Sequence, residues 1–338
     1  MPPHGIPTKP RSAIFDGTLD KGNLSLTNSL PGIPLVESPL FPAIALSLEL
    51  TDNEQSIAES LATRGFAVMD FSDDQLDARI ERIKASLAPR LGIDLLDPTS
   101  EKIGGDRRIQ DAWQFDEDVK AIACNRVVLD LLGKLYGRAA FPFQTLNFPV
   151  GTQQEAHTDM VHFSSLPERF MCGVWLAMED VDHDCGPLQY WPGSHRWPAL
   201  SNLAIGRRGF GSQLNSAQDP FAAAWRALAD VNGIGPETFL ARKGQALIWT
   251  ANLLHGGAWQ QDPLRTRWSQ VTHYYFEDCI YYTPAYSDEA IGRLDIRNPV
   301  SIVDGCVRPS RYLGEPIPPR RGRQSHRALR TLARWIGR

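Results

Sequence analysis

From Phe141 onward the chain is a series of short runs rich in aromatic and β-branched residues, closed by glycine or proline. They read FQTLNFPVG, MCGVWLAMEDV, GPLQYWPGS, QALIWTANLLHGG and RWSQVTHYYFE. Such runs, separated by turn residues, suit antiparallel strands that stack as a sandwich or close as a jelly roll. Ahead of them the period changes. Thr51 is placed to cap a helix with Glu54 three residues on, and Gly65 ends it. FAVMDF (66–71) reads as a short buried strand. Leu76, Ile80, Ile83 and Leu87 form one stripe of a second helix. A third helix is expected over 116–136, carrying Val127, Val128, Leu131, Leu132 and Leu135 and stopped by Gly137. The fold class expected is therefore mainly β with flanking helices.

Three segments stand apart. Residues 1–45, rich in Pro, Ser and Gly, read as an irregular N-terminal arm, and 46–315 as one domain. Within it, 200–236 interrupts the strand series with a helix-like piece and several glycines, as a lid-like insertion would. Residues 316–338 form a basic tail in which Leu329, Leu332, Ala333 and Ile336 recur at helical spacing. A docked helix with a solvated basic face is the plainer reading of that tail, and contact with an acidic membrane surface the lesser one.

Composition removes several function classes. The net charge of −4 gives no nucleic-acid signal. No apolar run approaches the ~20 residues that span a bilayer. MPPHGIPTKPRS lacks the apolar stretch of a secretory signal. The five cysteines are odd in number and form no CxxC pair, which suits free thiols in a reducing compartment. A cytoplasmic location is the expectation.

The stretch EAHTDMVHFSS (155–165) places His157 and Asp159 two residues apart in apparently extended chain, so both side chains project to one side. Among the downstream histidines, His162 would face away on a continuing strand, His183 sits in an acidic turn, and His195 closes a turn. His255 ends an apolar run just before Gly256 and Gly257, where a glycine turn would deliver it to a site. Two histidines and one carboxylate leave open coordination positions, the arrangement of non-haem Fe(II) oxygenases. An open Fe(II) needs a co-substrate to supply electrons for O₂. A 2-oxo acid chelates through its keto group and neighbouring carboxylate, and its far carboxylate calls for a planar guanidinium. Arg265 and Arg267 follow His255, and either could serve.

HTD (157–159), GVWLAMEDV, GPLQYWPGSH, KGQALIWTANLLHGG and RTRWSQVTHYYF, taken in this order, resemble the phytanoyl-CoA dioxygenase family of Fe(II)/2-oxoglutarate-dependent oxygenases. The resemblance implies a double-stranded β-helix (jelly roll, cupin-like) core and Fe(II) held by His157, Asp159 and His255. It matches Arg267 rather than Arg265 to the 2-oxoglutarate carboxylate, and puts Trp175 near the co-substrate. Asn147 resembles an asparagine that some relatives point at 2-oxoglutarate, with its neighbours Gln144 and Thr145 as alternatives. Gly257 and Ala258 stand where many members carry a serine or threonine that helps hold the co-substrate. Asp159, absent from halogenating relatives, favours hydroxylation.

The activity implied is hydroxylation of an unactivated C–H bond of a small molecule, with O₂ and 2-oxoglutarate consumed and succinate and CO₂ released. Arg207 and Arg208 in the insertion suit an anionic substrate. The competing reading is a metal-binding jelly roll that is non-catalytic, an isomerase or a holder of structural metal. Retention of all three ligands and of the arginine weighs against it. An acyl-CoA, a sugar or lipopolysaccharide precursor, an amino acid derivative and a natural product all stay open as substrates.

Overall fold

The computed structural model describes residues 28–95, 97, 99–102, 107–210 and 216–317. Residues 1–27 of the arm, 211–215 of the insertion and 318–338 of the basic tail lie outside the described residues. Six antiparallel strands make the main sheet, in the order β1-β8-β5-β10-β3-β2. These are β1 (Phe66–Asp70), β2 (Ile109–Gln110), β3 (Ala140–Phe148), β5 (Met171–Ala177), β8 (Gln245–Thr250) and β10 (Ser269–Phe276). A smaller sheet runs β7-β6-β9, from β6 (Leu188–Tyr190), β7 (Glu237–Phe239) and β9 (His255–Gly257). A strand β4 (Ser164–Leu166) pairs with β11 (Ile280–Tyr282) beside them.

Strand alternation divides the core in two. On β5, Cys172, Val174 and Leu176 join a large cluster with residues of the helices, while Trp175 and Ala177 belong to a second cluster with Leu188 and Tyr190 of the smaller sheet. Ala246 and Ile248 of β8 go with the helices, and Leu247 and Trp249 with the smaller sheet. One face of the main sheet is thus covered by helices, and the other faces β6, β7 and β9 across an interior that holds the site.

The helices follow the apolar stripes. With α1 (Phe41–Ile44) on the arm, α2 (Asp52–Arg64) starts at a capping box in which Thr51 Oγ1 accepts from Glu54 N and Glu54 Oε2 accepts from Thr51 N, at 3.3 and 2.8 Å. Helix α3 (Leu76–Leu87) buries Ile80, Ile83 and Leu87. The single helix expected over 116–136 is two, α4 (Glu117–Ala123) and α5 (Arg126–Tyr136). Asn125 breaks the run, because its Oδ1 accepts from Val128 N at 3.1 Å and so caps a new helix. Val127 then falls on the solvent side, 51% exposed. β1 is a half-buried edge strand rather than a buried one, with Val68 and Asp70 turned outward. At the end of the arm Leu35–Glu37, Phe41–Ile44 and Ala45–Ser47 form short helical turns, and Leu35, Val36, Phe41 and Ile44 are buried.

The insertion carries α6 (Ala222–Asn232). It is anchored by a third apolar cluster, in which Phe221 and Trp225 meet Val161, Leu254 and Ala285. Asn202 Nδ2 also donates to the carbonyls of Pro284, Ala285 and Ser287. No described helix is long and apolar enough to cross a membrane.

His195 is a structural residue. It is buried in the turn Ser194–Arg196, with Nε2 3.3 Å from the Ala62 carbonyl at the end of α2. Burial pushes its imidazole down to about 4. The unfolded chain therefore takes up the proton first as pH falls. The stability involved is fully present above ~6.5 and lost towards the folded-state pKa, about 2 kcal/mol between pH 7 and 5. Unfolding free energies from urea titrations at those two pH values should differ by that much less in His195→Gln than in the wild type.

Candidate active site

The site is built on one cross-strand pair. His157 N donates to the His255 carbonyl and His255 N to the His157 carbonyl, both at 2.9 Å. Directly opposed residues of an antiparallel pair share a face, so the two imidazoles stand side by side, ring centroids 4.5 Å apart. Asp159 joins them differently from the strand geometry expected. Thr158 is extended, which keeps residues 157 and 159 on one side, but Asp159 opens a 3₁₀ turn, Asp159–Val161. That turn brings His162, expected to face away, back to the cavity wall. His255 likewise opens β9 after the chain has crossed from the main sheet, instead of closing a strand before a turn. Gly256 and Gly257 serve close approach: a Cβ on Gly257 would lie 2.8 Å from Thr152 Oγ1 and 2.9 Å from Gln153 N. The Thr152 hydroxyl thus stands beside the place where the resemblance expects one on β9.

One ligand atom from each of His157, Asp159 and His255 can be chosen so that all three lie within 4.8 Å of one another, and all three residues are buried. Their hydrogen bonds suit metal binding. Nδ1 of His157 and of His255 lies 2.9 and 3.0 Å from the carbonyls of Glu155 and Leu253, which fixes the proton there and leaves Nε2 as a lone-pair donor. Trp249 Nε1 donates to Asp159 Oδ2 at 2.7 Å, and His273 Nε2 is 3.4 Å from the same oxygen. Asp159 Oδ1 is left 3.9 Å from each histidine Nε2. Burial and the neighbouring His255 push His157 down to about 3. Burial alone would raise the Asp159 carboxyl, but the imidazoles of His255, His273 and His157 hold it below the usual carboxylate range. A neutral His157 imidazole and an ionised Asp159 carboxylate are forms that bind a divalent cation.

Trp249 reaches Asp159 because Gly173 sits opposite it in the register of β5 and β8. A Cβ at Gly173 would come within 2.3 Å of the indole. Replacing Trp249 by phenylalanine keeps the ring but removes the bond to Oδ2. Loss of such an outer partner weakens metal binding about 10–100-fold, and anaerobic Fe(II) titration of Trp249→Phe should return that loss.

The triad lies in a cavity of about 660 Å³. Arg267 and Trp175 line it, with the guanidinium carbon 5.5 Å from the Trp175 ring centroid. Arg267 is 2% exposed, and its Nη1 donates to the Gly186 carbonyl at 2.9 Å. Two buried donors in this corner, Arg267 Nε and Trp175 Nε1, have no partner among the described residues. Burial brings the arginine down to about 10, so it stays cationic at neutral pH. A fixed cation with spare N–H groups fits a carboxylate. Arg265 instead pairs with Asp182 at 2.7 Å, away from the cavity.

The structure brings Gln144 to the cavity, where it meets His273 Nδ1 at 3.0 Å through Oε1. It does not bring Asn147 or Thr145 there. On β3 the cavity side belongs to Gln144, Leu146 and Phe148, so the alternate residues face the helices; Asn147 Nδ2 donates to Gln270 Oε1, and Gln270 bonds in turn to the Val119 carbonyl of α4. Arg207 and Arg208 do not line the cavity, and Arg207 Nη1 is committed to Asn202 Oδ1. Sequence reasoning missed the roles of Trp249 and His273. The alternation of Arg267, just ahead of β10, with Val271 and His273 on it was the available signal for the second.

A family model described as phytanoyl-CoA dioxygenase (PhyH) matches residues 74–259. No curated protein matches the chain. Among solved structures, the chain is similar to the epimerase SnoN in complex with Fe3+, alpha ketoglutarate and nogalamycin RO. That match has a TM-score of 0.51 at 16% identity and covers 68% of this chain and 86% of the other. It is also similar to the non-heme alpha ketoglutarate dependent carbocyclase SnoK from nogalamycin biosynthesis, with a TM-score of 0.52 at 15% identity, covering 80% and 95%. At such identities the likeness is one of fold.

Proposed function

The chain belongs to the phytanoyl-CoA dioxygenase family, whose model matches more than half of it, and on that premise we propose that it is a non-haem iron, 2-oxoglutarate-dependent oxygenase that hydroxylates a C–H bond of a small molecule. The observation that carries this reading is the pairing, in one cavity, of the His157, Asp159 and His255 donor set with the buried guanidinium of Arg267. The two facing sheets are read, on the same premise, as a double-stranded β-helix.

In this reading His157, Asp159 and His255 hold Fe(II). Arg267 and Trp175 hold the far carboxylate of 2-oxoglutarate with the donors the protein leaves unpaired. The bound metal and co-substrate supply O₂ activation, and the balance is R–H, O₂ and 2-oxoglutarate giving R–OH, succinate and CO₂. The chain's own part is orientation and exclusion. Trp249 donates to Asp159 Oδ2 with His273 beside it, so Oδ1 is the carboxylate oxygen left to hold the metal. Leu146, Phe148, Leu188 and Val271 wall the cavity with apolar surface, which favours a dry site. The insertion is its cover: Ser216, Ala217 and Gln218 line the cavity, and Phe221 and Trp225 pin the segment behind them.

Anaerobic addition of Fe(II) and then 2-oxoglutarate should give the visible charge-transfer band of an iron–2-oxo acid chelate. Metal binding without the band would overturn the reading.

A further inference from the structure

The cavity lining falls into two groups. Phe148, Trp175, Leu188 and Val271 are apolar and buried. Arg108, Gln110, Gln154, His162, Gln218 and Tyr286 are polar and exposed or half-buried. Three primary amides, an imidazole, a phenol and a guanidinium make a poor wall for an alkyl chain, since each polar group buried against it without a partner costs about 1–3 kcal/mol.

The hydrogen bonds among these groups say what they want instead. Gln154 Nε2 and His162 Nε2 both meet Gln218 Oε1, at 3.1 and 3.3 Å. That leaves Gln154 Oε1 as an acceptor and Gln218 Nε2 as a donor, adjacent to each other. Gln110 Nε2 donates to Asp111 Oδ2 at 3.3 Å, again leaving its carbonyl oxygen free to accept. Neighbouring donors and acceptors match hydroxyl groups, which do both. Among the described lining residues Asp159 is the only carboxylate. Arg108 is exposed there and makes no ion pair among the described residues.

Resting on the oxygenase reading, we infer that the substrate is a polyhydroxylated molecule bearing an anionic group, a sugar phosphate or sugar acid in chemical class, with its hydroxyls on the glutamine cluster and its anion on Arg108. An acyl chain is not the substrate. The volume is ample for such a molecule beside the co-substrate.

The test uses glucose 6-phosphate, glucuronate and UDP-glucose as probes. Methyl glucoside lacks the anion and dodecanoate lacks the hydroxyls. Binding is read twice: as a shift of the charge-transfer band in the Fe(II)–2-oxoglutarate protein, and by calorimetry on the protein as isolated. The expected result is at least one anionic sugar binding tenfold or more tighter than both controls. Arg108→Ala and Gln154→Leu should each remove tenfold or more of that advantage, without changing the band formed before the probe is added. Dodecanoate binding as tightly as the sugars, or no sugar binding by calorimetry, overturns the inference. A band that never forms overturns the oxygenase reading instead, and calorimetry then still decides between sugar and chain.

Discussion

Arg267→Ala is expected to raise the 2-oxoglutarate concentration needed for half-saturation by about 10²–10³-fold, because truncating one partner of a desolvated charge pair costs roughly 3–4 kcal/mol. The residue is 2% exposed and its guanidinium is held by one bond to the Gly186 carbonyl, so water cannot replace the lost cation cheaply. Fe(II) affinity without co-substrate should change little, since no atom of Arg267 bonds to the triad. Arg267→Lys should fall between, keeping the charge and losing the fork. Titrating the charge-transfer band separates these outcomes. A wild-type midpoint in Arg267→Ala would remove the arginine from the co-substrate site.

Asp159→Ala is the second large effect. It removes the one anion of the donor set and leaves the Trp249 N–H without its acceptor. Fe(II) affinity should fall by more than the ~10–100-fold that follows from losing an outer-shell partner, and the band should not form normally. Asp159→Asn is the control for folding: an amide oxygen can still accept from Trp249 while offering no charge. Thermal midpoints close to wild type, with metal affinity lost, are the expected pair of readings. Retained Fe(II) affinity in both variants would place the metal elsewhere.

How far the sequence carried these residues depended on the kind of contact. Trp175 and Arg267 were marked by a local motif, and both line the cavity. Asn147 was not resolvable from Gln144, because strand phase near a proline and a glycine cannot be read without knowing which face packs on α4. The break at Asn125 was legible in principle, since an asparagine inside a helical run competes for backbone donors. Trp249 was out of reach for a different reason. Its role depends on Gly173, a residue on another strand whose missing side chain makes room for the indole. The helices and strands were legible because their periods are local; the partition between two sheets was not, because QALIWTANLLHGG reads as one run while its two halves belong to different sheets.

The pair His157 and His255 joins chain positions about 100 residues apart by a two-way backbone bond. A contact with so long a loop between its ends is entropically expensive and forms late, after the segments on either side have structure. The full donor set therefore exists only in the folded chain. Metal bound there acts as a ligand of the native state and raises the melting temperature as free metal exceeds its dissociation constant. Metal supply becomes, for this chain, a control on its stability.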